Sequence, residues 1–224
     1  MTPGQIESAP EKKRILLIDD HRMMREGLRQ LISQEPDLCV CCEAADGRQA
    51  LACIAKGKPS LALLDISLPD KNGLDLLQDI RALDPELPVL VVSMHDENLY
   101  AERILRAGGR GYIMKQEGGE KLMQAIRQVL AGQVYVSGQV SSRILENLTG
   151  HRPSTARSPI ESLTNREFQV FQLIGQGSGT RQIADKLRVS VKTVEVHRLN
   201  IKQKLDLRTA TQLVQAAVRW VDSQ

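Results

Sequence analysis

Along the first 130 residues, short apolar runs alternate with stretches whose apolar positions recur every three or four residues. Ile15-Leu16-Leu17-Ile18, Leu61-Ala62-Leu63-Leu64 and Val89-Leu90-Val91-Val92 are apolar at every position. A strand solvated on one face would alternate, so these runs predict parallel strands covered on both faces. Strands are predicted at Arg14–Ile18, Cys39–Glu43, Leu61–Leu64, Pro88–Ser93 and Gly111–Lys115. Between them, helical spacing predicts helices over His21–Ser33, Gly47–Lys56, Gly73–Leu83, Asn98–Ala107 and Glu120–Leu130, the third stopped by Asp84-Pro85. Five strands alternating with five helices predict an α/β doubly wound parallel sheet with right-handed crossovers, for which the order 2-1-3-4-5 is adopted from known sheets of this type.

After residue 131 the rhythm changes. Ser137–Leu148 has the spacing of one short helix, and Gly150-His151-Arg152-Pro153-Ser154-Thr155 with Ser158-Pro159 has linker composition. Thr164-x-x-Glu167 then forms a capping-box signature ahead of Phe168, Val170, Phe171 and Ile174. A break at Gly175–Gly179, a short helix at Thr180–Leu187, a turn at Arg188–Ser190 and longer helices at Val191–Leu205 and Thr211–Val221 complete a small all-α, four-helix module. The expected organisation is a polar, disordered tail at 1–12, a large domain at 13–131, a linker with a short helix at 132–160 and a small domain at 161–224.

Charge separates the same two parts. Residues 1–150 carry 18 basic and 21 acidic side chains, whereas 151–224 carry 12 and 6. Only the C-terminal part is therefore expected to meet a polyanion. No apolar run approaches the ~20 residues of a membrane span. The first residues carry no apolar signal core, and Met1-Thr2 does not fit a myristoylation start, so a cytoplasmic protein without membrane contact is expected. Cys39, Cys41, Cys42 and Cys53 lack paired metal-site spacing, and in that compartment they are expected to be small core thiols, neither bridged nor metal-bound.

Asp65 closes the third apolar run, at the strand edge where open α/β sheets bind ligands. Alone it reads more readily as a helix cap or a plain strand-end turn. Asp19 and Asp20 close the first strand, which should lie beside the third, and Ser93 and Lys115 close the fourth and fifth. Three clustered carboxylates repel one another unless they share a cation, and an all-oxygen set with few protein ligands suits Mg²⁺. A hydroxyl and an ammonium facing the same pocket suit a phosphoryl group.

This set, with Leu63-Leu64-Asp65-Ile66-Ser67-Leu68-Pro69-Asp70-Lys71-Asn72-Gly73-Leu74 and Glu43-Ala44-Ala45-Asp46-Gly47, resembles the receiver domain of two-component response regulators over about residues 13–131. The resemblance implies that Asp65 accepts a phosphoryl group from the phosphohistidine of a sensor histidine kinase. It further implies that Asp20, Asp65, the Ser67 carbonyl and, through water, Asp19 hold Mg²⁺. Lys115 would pair with the phosphoryl oxygens, Ser93 would hydrogen-bond them, and Tyr112 would be the aromatic that moves inward behind Ser93. Ser67 and His95 occupy the positions that tune dephosphorylation in such domains, and Gln116 stands where many of them carry Pro. A phosphatase that forms an aspartyl phosphate is the competing reading of Asp65. Such enzymes need a second Asp two residues on, where this chain has Ser67, so no enzyme is expected.

At 100° per residue, Val191, Val194, Ile201 and Leu205 share one side of their helix. Lys192, Glu195, Val196, Leu199 and Gln203 lie opposite, with Arg198 and Lys202 at the borders. Apolar groups beside cations on an outward face suit thymine methyls in a major groove, and a short helix, tight turn and longer helix make a helix-turn-helix. Leu163-Thr164-x-Arg166-Glu167, Gln182-Ile183-Ala184, Leu187 and Ser190-Val191-Lys192-Thr193-Val194-Glu195-Val196-His197-Arg198 resemble the LuxR-type DNA-binding domain of NarL/FixJ response regulators. The resemblance implies phosphate contacts from Lys192, Thr193 and Lys202, base-edge contacts from Glu195, Val196 and Leu199, and an interface that also includes His197 and Arg198. Gly179-Thr180-Arg181 departs from the common Ser-Asn-Lys start of the preceding helix, so Thr180 is expected to cap it and to sit at the same interface. The whole chain thus reads as a phosphorylation-controlled transcription regulator that dimerises on double-stranded promoter DNA, its last helix serving either as the self-contact or as core. Two competing readings are a DNA-binding protein with a degenerate receiver and a switch that contacts only proteins.

Overall fold

The structure is a computed structural model that describes residues 12–149 and 159–222. Residues 1–11 of the tail expected at 1–12, and residues 150–158 of the linker expected at 132–160, lie outside the described residues. The chain forms two compact units. One comprises the residues up to Met94 together with Ile104–Val136, and the other His95–Arg103 with Ser137 onward.

In the first unit, strands β1 (Lys13–Ile18), β2 (Leu38–Ala44), β3 (Leu61–Leu64), β4 (Val89–Ser93) and β5 (Gly111–Met114) form one parallel sheet in the order β2-β1-β3-β4-β5. This is the predicted doubly wound topology. Helices α1 (Arg22–Ser33), α2 (Gly47–Gly57), α3 (Gly73–Leu83) and α5 (Gly119–Leu130) of this unit, and α4 (Glu97–Arg106), whose residues up to Arg103 belong to the second unit, fall within a residue or two of expectation. β3 is buried at every position, as its unbroken apolar run requires. Side chains alternate across a strand, so Ile15, Leu17, Leu61 and Leu63 meet Leu28 and Ile32 of α1 and Leu122, Ile126 and Val129 of α5. Leu16, Ile18, Ala62 and Leu64 fill the other face, equally buried. Each enclosed Leu or Ile contributes roughly 2 kcal/mol.

Three features depart from the sequence reading. The β1–β2 register slips between Ile15 and Leu16, so Ile15 pairs with Val40 but Leu16 with Cys42, leaving Cys41 as the bulged residue. Beyond α5, Tyr135 bridges to Gly111, donating its N–H to the Arg110 carbonyl and accepting from Tyr112. And the expectation of four unbridged thiols is corrected: Cys42 and Cys53 form a disulfide with a Cα–Cα distance of 6.2 Å, while Cys39 and Cys41 are free. The bulge is the physical reason. It gives Cys42, instead of Cys41, the sheet face of Leu16, opposite the face covered by α1 and α5.

The second unit contains α6 (Gly138–Thr149), α7 (Asn165–Gly175), α8 (Thr180–Leu187), α9 (Val191–Lys204) and α10 (Ala210–Asp222). Thr164 caps α7 in the predicted capping box. Phe168, Val170, Phe171, Ile183, Val194, Ile201, Leu213 and Ala217 are buried. An ideal Cβ at Gly175 would lie 2.4 Å from the Ala217 carbonyl oxygen, so only glycine lets α7 and α10 cross this closely. The ring of Tyr100 meets Phe168 edge-on at 5.3 Å and stacks on His95 at 5.0 Å, and its hydroxyl donates to Gln172 at 2.7 Å.

Candidate functional site

Parallel strands all end at the same sheet edge, and that edge gathers the predicted acidic set. Asp19 follows β1 and Asp65 follows β3, both only 3% exposed. Lys115 follows β5, its Nζ donating to Asp19 Oδ2 at 2.6 Å and to Asp65 Oδ2 at 2.8 Å. Asp65 Oδ1 also accepts the Ser67 N–H at 3.2 Å. Asp20 is more open, its Oδ1 2.8 Å from His21 Nδ1. His21 Nδ1 lies 3.4 Å from Asp19 as well, and the His21 backbone N–H donates to Asp19 Oδ1 at 2.8 Å. One ligand atom from each of Asp19, Asp20, His21 and Asp65 falls within 4.8 Å of the others, so this group could hold a metal ion. Ser93 closes β4 and Tyr112 lies in β5, and both are fully buried.

The electrostatics follow from burial. Desolvation pushes the Asp65 carboxyl above its ordinary value, partly offset by the hydrogen bond and charge of Lys115. Desolvation also works against the Lys115 ammonium, but Asp19 and Asp65 outweigh it and raise its pKa. Lys115 is therefore held as a cation between two buried acids. Three carboxylates face one ammonium and a histidine, a surplus of negative charge that favours a further cation.

Two supports were not legible. Arg25 donates to the Asp19 carbonyl at 2.6 Å and to Glu43 at 3.4 Å, fixing the end of β1. Asp70 accepts the Gly47 N–H at 2.9 Å, joining the loop after β3 to the first turn of α2. Gly73 was visible only as part of a motif. A Cβ there would lie 2.6 Å from Ile66 Cα and 2.9 Å from the Asp65 carbonyl, while Gly73 N–H donates to the Ile66 carbonyl at 2.9 Å. Gly73→Ala must push the backbone of Asp65 and Ile66 away. It is expected to cost about 1–3 kcal/mol as overpacking does, and to slow any chemistry at Asp65, measured by urea denaturation followed by circular dichroism.

In the second unit, α9 presents the expected outward face. Lys192, Glu195 and Gln203 are exposed, and Val196 and Leu199 are 49% and 50% exposed despite being apolar. Val194 and Ile201 are buried beneath, but Val191 at the first helical position is 40% exposed and Leu205 half-buried, so the core stripe is shorter than predicted. Arg198 and Lys202 are half-buried and line, with Glu195, Leu199, Ala210 and Leu213, a concavity of about 180 Å³. The Thr193 hydroxyl is already hydrogen-bonded to Ser190 Oγ at 2.8 Å. His197 is half-buried with Nδ1 enclosed, and burial pushes its imidazole below the usual histidine range. Thr180 is the first residue of α8 and not its cap; Gly179 is the cap, its N–H donating to Gln182 Oε1 at 2.8 Å.

Glu167 and Arg166 hold these helices together, a role the capping-box pattern only half reveals. Glu167, 3% exposed, accepts from Lys204 Nζ of α9 at 2.6 Å and from the Thr164 N–H at 2.8 Å. Arg166 donates to the Leu187 carbonyl at the end of α8 at 2.6 Å. Burial alone would raise the Glu167 pKa, but Lys204 and Thr164 together bring it below its ordinary value. A depressed carboxyl pKa stabilises above the unfolded value, and that contribution is lost as pH falls through the folded one. Glu167→Gln is expected to cost about 1–3 kcal/mol near neutral pH, the scale of hydrogen bonds to a charged group, and to abolish this part of the acid-side loss. Trp220 is the single tryptophan and packs on Phe168 at 5.3 Å, so its fluorescence during urea denaturation reads the effect.

Comparison with known proteins agrees with both halves. The response regulator receiver domain matches residues 15–127, and the bacterial regulatory proteins of the luxR family match residues 161–217. The chain is 34% identical over 210 residues to the oxygen regulatory protein NreC of Staphylococcus haemolyticus, covering 92% of this chain and 97% of that one. It is 32% identical over 225 residues to the transcriptional regulatory protein DegU of Brevibacillus brevis, covering 94% and 95%. A solved LuxR-family two-component response regulator from Aurantimonas sp. SI85-9A1 is 33% identical over 62% of this chain and 99% of that one, with a TM-score of 0.57. RcsB of Salmonella enterica serovar Typhimurium, solved on promoter rprA with phosphomimetic BeF3-, shares the fold at 22% identity and a TM-score of 0.69 over 92% of this chain and 98% of that one. Among the described residues no helix is long and apolar enough to cross a membrane. With a receiver domain, a LuxR-type helix-turn-helix and relatives that match more than nine-tenths of its length, the chain belongs to the NarL/FixJ-type two-component response regulators.

Proposed function

We propose that Asp65 is the phosphoryl acceptor and that its phosphorylation controls DNA binding by α9. The observation that carries this reading is the buried Asp65 joined to Asp19 through Lys115 at one sheet edge, with Ser93 closing the strand between β3 and β5. An Asp65 carboxylate oxygen would attack phosphorus, forming an acyl phosphate as the phosphorus–nitrogen bond of a kinase phosphohistidine breaks. Lys115 would meet the charge on the phosphoryl oxygens, Ser93 would donate its hydroxyl to them, and Tyr112 would follow Ser93 inward.

The oxygen-rich donor set fits Mg²⁺, which Asp20, Asp65 and the Ser67 carbonyl would hold, with Asp19 acting through water. When bound, Mg²⁺ supplies neutralisation of the acids and a point of attachment for a phosphoryl oxygen. Beyond carrying the phosphoryl group the chain acts as a regulator, not an enzyme, and works in the cytoplasm. Residues 13–131 are its receiver, 132–160 its linker and 161–224 its DNA-binding domain, which pairs with a second copy on promoter DNA. Val214 and Val218 stay exposed on α10 while Leu213 and Ala217 are buried, leaving an apolar pair for that self-contact. Lys192, Thr193 and Lys202 would hold phosphates, and Glu195, Val196 and Leu199 would face bases, flanked by Thr180, His197 and Arg198.

Acetyl phosphate tests the first step without a kinase. With Mg²⁺ the full chain is expected to gain one phosphoryl group by intact-mass measurement, and chelation with EDTA is expected to prevent the gain. Uptake of the same extent in EDTA would refute the metal assignment.

A further inference from the structure

The cysteines are the one sequence feature that the regulator reading does not use. β2 is the edge strand of its sheet, and Cys39, Cys41, Cys42 and Cys53 are all only half-buried. Buried structural thiols are inert, whereas partly exposed ones exchange. The Cys42–Cys53 bridge closes a short loop, with 11 residues of sequence separation, and ties β2 to the second turn of α2. In reducing compartments such bridges are transient and act as sensors.

The two ends of this bridge sit next to the supports of the acidic pocket. Glu43, which follows Cys42, accepts from Arg25, and Arg25 holds the Asp19 carbonyl at 2.6 Å. α2, which carries Cys53, begins at Gly47, whose N–H donates to Asp70 in the loop that follows Asp65. Fixing α2 against β2 therefore restrains groups that position both buried acids.

We propose that Cys42 and Cys53 form a reversible thiol–disulfide pair that exchanges with low-molecular-weight disulfides and sets the rigidity of the β2–α2 support. One thiolate of the pair attacks a sulfur of the small disulfide, releasing one small thiol and leaving a mixed disulfide. The second cysteine, losing its proton, then displaces the other small thiol and closes the Cys42–Cys53 bond. Two protein thiols are oxidised and one small disulfide is reduced to two thiols, so the exchange balances. Excess small thiol runs it backwards.

The test uses the full chain incubated with oxidised glutathione or with dithiothreitol, acid-quenched, alkylated and digested without reduction. Oxidised protein is expected to yield a Cys42–Cys53 linked peptide with Cys39 and Cys41 alkylated, and dithiothreitol is expected to return all four to the alkylated state. Hydrogen exchange at Gly47–Ala50 is expected to be several-fold slower in the oxidised protein, and Cys53→Ser and Cys42→Ser are each expected to remove the difference. Oxidation confined to Cys39 or Cys41, bonds between chains, or a Cys42–Cys53 bond that dithiothreitol does not open would overturn the reversible pair. Equal hydrogen exchange in the two redox states would overturn its hold on α2.

Discussion

Asp65→Asn is expected to reduce phosphoryl uptake from acetyl phosphate by at least about a thousandfold, the scale on which losing a nucleophile acts. The side chain keeps its size, and the Asn carbonyl oxygen can still accept the Ser67 N–H now donated to Asp65 at 3.2 Å. The negative charge is lost, and with it the nucleophilic oxygen. Lys115 retains Asp19 at 2.6 Å, so its ammonium is not stranded in the interior. The substitution also removes a carboxylate whose ionisation burial opposes. Stability is therefore expected to change by no more than about 1–2 kcal/mol, and circular dichroism should be unaltered. Uptake at the wild-type rate would place the acceptor elsewhere. An unfolded variant would show instead that Asp65 is chiefly a structural acid.

The second large effect belongs to α9. The charges of Lys192 and Lys202 flank the exposed Val196 and Leu199 on the same helix, where cations are placed to meet phosphates and apolar groups to meet bases. Each phosphate contact releases counterions, so losing one should lower the slope of log affinity against log salt by about 0.9. The double variant Lys192→Ala, Lys202→Ala is expected to flatten that slope by about 2 and to weaken binding to all duplexes similarly. Neither lysine supports the core, so the fold should persist. Anisotropy titrations on a labelled duplex at several salt concentrations measure both quantities. An unchanged slope would remove α9 from the interface.

The acidic set was readable because parallel strands of a doubly wound sheet end on one edge, so five residues at strand ends became neighbours once the strand order was set. α9 was readable for a similar reason, since helical angle alone separates Val194 and Ile201 from Lys192, Val196 and Leu199. What escaped depends on pairings between distant residues. Glu167 announces its cap at Thr164 locally, but Lys204 lies 37 residues away and only folding brings them together. The bulge at Cys41 is one residue of slip, invisible in composition, yet it decides which cysteine faces α2 and so turns expected free thiols into a bridge. Val191 fits the core stripe by angle, but angle carries no information about how far the covering helices reach.

The measurement closest to the central claim is the affinity of the full chain for a duplex selected from random DNA, with Mg²⁺, before and after acetyl phosphate treatment, in the wild type and in Asp65→Asn. The expected result is tighter binding after treatment in the wild type and no change in Asp65→Asn, whose affinity stays at the untreated level. Equal affinity of treated and untreated wild-type protein, with phosphorylation of Asp65 verified by mass, would contradict the control of DNA binding by this aspartate.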